Sequence, residues 1–122
     1  MNKTQTFRDL IVWQKGIDLV LLIYSLSKKF PKEEIYGLTS QMRRASVAIP
    51  SNISEGYIRR HPKEYAQFIN IAFASGAELE TQLEICQKLG YITEREYQKS
   101  SELISEIMKM LNKLSSVLRA SS

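Results

Sequence analysis

Arginines stand in adjacent pairs twice in this chain, Arg43–Arg44 and Arg59–Arg60, with Lys63 close behind the second pair. A guanidinium is always charged and presents a rigid fork of N–H donors, which suits either phosphate oxygens or a carboxylate. Arg43, Arg44, Arg59, Arg60 and Lys63 put five positive charges into residues 38–64 against Glu55 and Glu64, so most of the net charge of +4 resides there. With Tyr57 and His61 alongside, the 59–63 corner has the make-up of a phosphate-contacting surface with one stacking aromatic. A solvated loop has the same make-up. A different destination exists for one of Arg43 and Arg44. Glu78 follows the small residues Ser75 and Gly76, so it can face a gap between helices and accept a bidentate arginine within one subunit or across two. An arginine used in that way is lost to phosphate. Lys109, Lys113 and Arg119 either extend the basic surface or mark an exposed helix face.

Other chemistry has little to stand on. His61 is the single histidine, and a site of His61, Glu64 and a remote carboxylate lacks the nitrogen and sulfur ligands zinc prefers. The single cysteine, Cys86, excludes an internal disulfide and a cysteine zinc cluster. It shares helical spacing with Leu79, Leu83 and Leu89, the place of a core residue. There is no Glu-x-x-His pair of the di-iron bundles, no phosphate loop and no serine beside a histidine base. The expectation is a non-enzymatic protein without metal or cofactor.

The elements that must carry these residues are helices. At 122 residues, with 43% hydrophobic and 25% charged side chains, the chain has the size and composition of one globular domain. Five glycines and three prolines leave little room for irregular structure. The longest apolar run, residues 19–24, is far short of a membrane span, and no secretory leader opens the chain. A cytoplasmic, reducing setting is expected. A pI near 9.2 is mildly basic and is weak support for a nucleic-acid partner by itself.

Helix one is expected over about 7–28, with Thr6 and Asp9 at capping-box spacing. Leu10, Trp13, Ile17, Leu21 and Tyr24 mark its inner face, widened by Ile11, Val20, Leu22 and Ile23, and Pro31 stops it. Helix two, about 40–58, is capped by Thr39 or Ser40 and turns Met42, Ala45, Ile49 and Ile53 inward. Pro50 removes the bond to the Ser46 carbonyl, which predicts a kink or two short helices broken there. Asn52 and Glu55 then satisfy the freed carbonyl or bridge subunits.

Helix three, about 62–89, starts on Pro62 and ends at Gly90. One seam of it is Tyr65, Ile69, Ala72, Gly76, Leu79, Leu83 and Cys86. A second is Phe68, Ile71, Ser75, Gln82 and Ile85. Helix four, about 94–119, opens with a Thr93–Glu96 capping box and repeats Tyr97, Ile104, Leu111 and Leu118 every seven residues. The fold class is all-α: an antiparallel up-and-down four-helix bundle in one domain, residues 1–122. Helices one, three and four carry more apolar positions than one bundle core needs. The surplus predicts self-association, and two distinct seams suit the head-to-tail contacts of a cyclic ring. A monomer with an unusually full core is the alternative.

Four segments carry a family resemblance: FRDLIVWQKGIDLV at 7–20, YGLTSQMRRASVAIPSNISEGYIRR at 36–60, FASGAELETQLEICQKLGYI at 73–92 and IMKMLNKL at 107–114. Together, in order and without large gaps, they resemble the 23S rRNA intervening-sequence four-helix-bundle protein family, distantly related to the accessory protein of diversity-generating retroelements. The resemblance implies an up-and-down bundle, assembly as a homopentamer, and association with an insert in the large ribosomal RNA gene. Two functions follow as expectations. The first is a scaffold that binds RNA or DNA through its basic surface. The second is a protein-interaction scaffold that docks a partner such as a polymerase.

Overall fold

The structure, a computed structural model, describes residues 5–121. Four α-helices account for most of them: α1 (Ile11–Ser27), α2 (Leu38–Arg59), α3 (Pro62–Lys88) and α4 (Glu94–Ser121). No strand occurs among the described residues. Each helix packs on the next and α4 closes back onto α1, with the broadest contact between α2 and α3. The result is an up-and-down four-helix bundle.

Two close approaches set its geometry. A Cβ on Gly56 of α2 would lie 2.8 Å from both Phe68 Cβ and Tyr65 Cδ1 of α3, so only a glycine allows the two helices this near. A Cβ on Gly16 of α1 would lie 3.3 Å from Pro50 Cβ. The pyrrolidine ring of Pro50 is buried against α1 at that point, and α2 runs unbroken from Leu38 to Arg59. The two-helix alternative is therefore excluded. Asn52 Nδ2 donates to the carbonyl of Ala48 at 2.7 Å, not to that of Ser46, and Glu55 turns away to Arg59.

The helix ends follow the sequence reading with two corrections. Thr6 and Asp9 do form a capping box, but it opens a short 3-10 turn, Phe7–Asp9. Leu10 is extended (φ −74°, ψ 125°), and α1 begins only at Ile11. At the start of α2 the Leu38 amide donates to Glu34 Oε1 at 3.1 Å, and neither Thr39 nor Ser40 caps the helix. Glu34 serves because the turn before α2 places its carboxylate under the open amides, where negative charge also suits the helix dipole. Its other oxygen accepts the Tyr91 hydroxyl at 2.8 Å. Helix α3 ends in a Schellman motif: Gly90 at φ 79°, Tyr91 N donating to Cys86 O at 2.9 Å and Gly90 N to Gln87 O at 3.0 Å. The reciprocal box at α4 is complete, with Thr93 N on Glu96 Oε1 at 2.9 Å and Glu96 N on Thr93 Oγ1 at 3.1 Å. Lys29 pairs with the same Glu96, which holds that carboxyl below its usual range, helped by the Thr93 amide.

The core is built as expected on α3 and α4, with Ile69, Leu79, Leu83 and Cys86 facing Ile104, Ile107 and Leu111, all fully enclosed. On α1 the buried face is Val12, Gly16, Leu19, Ile23 and Leu26 instead of the expected stripe. Leu21 is 64% exposed and Tyr24 38%. Apolar residues surround so much of this helix that periodicity alone leaves its rotation undecided, and the contact of Gly16 with Pro50 settles it. The second seam of α3 is only partly covered. Gln82 is buried, with its amide oxygen lacking a hydrogen-bond partner, while Ile71 (49%) and Ile85 (44%) are exposed.

Gly56→Ala is expected to destabilise the bundle by about 1–3 kcal/mol, since a packed ring and a backbone must both move. Gly76→Ala meets only the flexible end of Met108 at 3.1 Å and is expected to cost less than about 1 kcal/mol. Urea unfolding of both variants beside the parent measures the difference, and equal costs would refute the packing argument.

Candidate nucleic-acid interface

The corner between α2 and α3 is set by its backbone. Arg60 closes α2 in the left-handed region (φ 58°, ψ 23°) with its amide on Tyr57 O at 3.3 Å. His61 is extended and Pro62 starts α3. Left-handed geometry costs a residue with a Cβ about 1–2 kcal/mol, and glycine is the usual occupant of such a cap. Up-and-down topology brings the start of α1 and the end of α4 to this same end of the bundle.

The predicted basic residues do not all share one fate. Arg59 is held by Glu55 at 3.3 Å and Glu64 at 3.7 Å, with its guanidinium 5.0 Å above the Phe68 ring. Arg60, His61 and Lys63 are exposed, and no ion pair joins Arg60 or Lys63 to any described residue. Arg43 and Arg44 lie elsewhere: at roughly 1.5 Å per residue they sit about 24 Å back along α2, so the five charges do not form one surface. Arg44 is exposed. Arg43 packs its guanidinium 4.6 Å from the Tyr24 ring and donates from Nε to Ser27 Oγ at 2.8 Å.

One arginine of the pair is thus structural, but the expected pairing with Glu78 is not made within the chain. The ring and hydroxyl of α1 draw Arg43 in, whereas Glu78 is exposed on α3 and accepts from Gln82 Nε2 at 3.2 Å. Lys109 lines a separate groove between α3 and α4 with Phe73, Glu80 and Met108.

Two clefts open at the corner and share Gln5, Tyr57 and Arg60. The larger, about 460 Å³, adds His61, Pro62, Tyr65 and Leu118. The smaller, about 290 Å³, runs over the N-terminal turn past Thr6, Phe7, Arg8 and Ile58. Tyr57 and Tyr65 meet edge to face, with centroids 6.0 Å apart and planes at 83°. Burial, and then the neighbouring Tyr57, push the Tyr65 phenol up to about 12, so it stays a neutral donor at ordinary pH. Arg8, which the sequence reading passed over, joins the corner and stacks its guanidinium 4.8 Å from the Phe7 ring. The Thr6–Asp9 box could have signalled it, because that box fixes the turn beside the end of α2. Asp9 spends its charge on the Gln5 and Thr6 amides, which hold its carboxyl low. Among the described residues no three His, Cys, Asp or Glu side chains converge as a metal site would require.

Comparison with known proteins agrees with this architecture. Residues 8–113 match the family described as 23S rRNA-intervening sequence protein. The chain belongs to that family. A solved relative is a protein of unknown function from the S23 ribosomal protein family of Bacteroides thetaiotaomicron. It is 25% identical and superposes with a TM-score of 0.80 over 87% of this chain and 96% of its own. No curated protein matches the sequence. No described helix of this family member is long and apolar enough to cross a membrane.

Two measurements test the corner. Arg60→Gly is expected to raise stability by about 0.5–1 kcal/mol in urea unfolding, because glycine enters the left-handed region freely. A fall would mean that the Arg60 side chain holds the corner together. Phenolate absorbance should show one tyrosine, absent from the Tyr65→Phe titration, ionising near pH 12. The folded value lies above the unfolded one, so this group's contribution is complete below about pH 10 and is lost as pH rises towards 12.

Proposed function

We propose that this protein is a non-enzymatic, oligomeric four-helix-bundle scaffold that binds RNA or DNA at the α2–α3 end of the bundle, in association with a ribosomal RNA intervening sequence. The observation that carries the reading is the charge left over at that end. Arg59 is neutralised by Glu55 and Glu64 and Asp9 by backbone amides, while Arg60 and Arg8 present cations at two clefts and Lys63 is exposed on the first turn of α3. Phosphate contacts are supplied by such exposed cations without any catalytic group. The family to which the chain belongs, described by an rRNA intervening sequence, supports a nucleic-acid partner of ribosomal RNA type and a cytoplasmic setting.

One corner holding two or three phosphates binds weakly, and a ring of copies would multiply it through avidity. Exposed Ile11, Leu21, Val47, Ile58, Ile71 and Ile85 supply apolar surface for that assembly on three helices, as contacts between unlike faces require. A homopentamer is the stoichiometry proposed. A cross-subunit partner for Glu78 belongs to the same proposal.

The second reading, a scaffold that docks a protein such as a polymerase, draws support from the opposite end of the bundle. There Ile35 and Tyr36 are exposed, Tyr36 at 94%. An aromatic this open suits a protein contact better than a phosphate contact.

Fluorescence anisotropy with structured RNA and duplex DNA over a salt series tests the first reading, with mass from light scattering on the same samples. The expected result is an oligomer whose affinity falls steeply with salt. In Arg60→Ala/Lys63→Ala the slope should flatten by about 1 per phosphate contact removed. An intact oligomer that binds neither probe at low salt would overturn the nucleic-acid reading in favour of the protein scaffold.

A further inference from the structure

We propose that the end of the bundle opposite the corner is a docking surface for a protein segment that carries acidic side chains next to apolar ones. This rests on the second reading above, the protein scaffold, and names where the partner binds and what its chemistry is.

Apolar side chains stand open at this end on ordered backbone. Ile35 and Tyr36 leave the turn between α1 and α2, 57% and 94% exposed, and Leu89 leaves the end of α3 at 55%. The Ile35 amide donates to Lys32 O at 3.1 Å, that of Gly37 to Glu34 O at 2.9 Å and that of Leu89 to Ile85 O at 2.9 Å. The two connections are also tied to each other. The Tyr91 ring packs on that of Phe30, with centroids 5.4 Å apart, and its hydroxyl donates to Glu34. Lys29 pairs with Glu96 across the same end. Apolar groups fixed in place before binding lose little freedom when a partner covers them. Tyrosine in particular is enriched where proteins meet.

Charge decides the chemistry of the partner. Lys32 lies on the turn that closes at Ile35, Lys88 adjoins Leu89, and Lys28 and Arg95 stand next to the paired Lys29 and Glu96. All four of these unpaired cations are exposed, and no ion pair joins them to any described residue. Carboxylates close by are already used, Glu34 by the Leu38 amide and the Tyr91 hydroxyl and Glu96 by Lys29. Open apolar side chains bordered by unpaired cations are complementary to apolar anchors bordered by Asp or Glu. Glu33 and Glu94 remain exposed at the same end. They repel a polyphosphate strand or an anionic membrane, which is negative throughout. A discrete segment can set its carboxylates on the cations and leave Glu33 and Glu94 to water. Ile35 and Leu89 favour the same partner, since phosphate contacts are made by polar groups and an aliphatic side chain offers none.

The test selects a displayed library of random peptides on the full chain in its native oligomeric state, then measures enriched peptides by fluorescence anisotropy. The expected result is enrichment of peptides that combine Asp or Glu with aromatic or aliphatic residues. Tyr36→Ser removes no packing and no charge, and it should weaken them at least about tenfold, as loss of a central aromatic anchor does. Lys32→Ala/Lys88→Ala should weaken them too. Arg60→Ala/Lys63→Ala takes the same charge from the corner and should leave them unchanged. Equal losses in the two double variants would mean attraction by net charge alone and would overturn the site. Enriched peptides that bind Tyr36→Ser as tightly as the parent would overturn this surface while the protein-scaffold reading stands. No enriched peptide at all would overturn both. Structured RNA, duplex DNA and vesicles of phosphatidylcholine with phosphatidylglycerol are run beside the peptides. Binding of any of these to the parent that is lost in Tyr36→Ser would reassign the end to nucleic acid or lipid and overturn the proposal.

Discussion

The contact of Gly56 with Tyr65 and Phe68 is the constraint on which the rest of the corner depends. With no Cβ at position 56, α3 comes close enough for Tyr65 and Phe68 to pack directly against the last turns of α2. Three consequences follow from that one approach. Tyr65 meets Tyr57 edge to face, Phe68 comes under the Arg59 guanidinium, and Glu64 comes within reach of the same arginine. The chain must then reverse direction in two residues, which forces Arg60 into left-handed geometry and leaves Pro62 to start the next helix. The cleft, the exposed cations and the paired arginine are products of a single packing distance.

A second small residue plays the matching part on the other flank. Gly16 receives the ring of Pro50, so the proline that threatened to break α2 becomes a ridge seated in α1. Burying that ring stabilises the interface through apolar area and shape, which offsets the missing hydrogen bond within α2. It also decides which face of α1 turns inward, against the more obvious apolar stripe.

Much of this was legible in the sequence, and the parts that were not share a physical cause. Local signals read correctly: Thr93–Glu96, Gly90, Pro62 and the α3 seam all depend on residues within one or two turns of one another. Most of the errors lie where a distant residue decides. The rotation of α1 is set by Pro50 and the partner of Arg43 by Tyr24 and Ser27 on another helix, while the cap of α2 was missed locally, because the turn at Lys32–Glu34 and not a serine or threonine delivers it. The basic cluster of residues 38–64 looked single because sequence distance hides helix length. Sixteen residues of α2 separate its two arginine pairs along a rod, and only the return of the chain at each end shows what lies beside them. Arg8 entered the corner for the same reason, as a neighbour in space that is remote in sequence.

The two ends of the bundle use their carboxylates differently. At the end away from the corner, Glu34 is occupied by the Leu38 amide and the Tyr91 hydroxyl, and Glu96 by Lys29 and the Thr93 amide. These carboxylates tie connections to helices, while Lys28, Lys32, Lys88 and Arg95 are exposed at the same end beside Ile35 and Tyr36. At the corner Glu55 and Glu64 are consumed by Arg59 and Asp9 by backbone amides, and cations remain exposed there too. Like-charged side chains held together at one end raise the local potential and cost some self-repulsion, which a bound polyanion relieves.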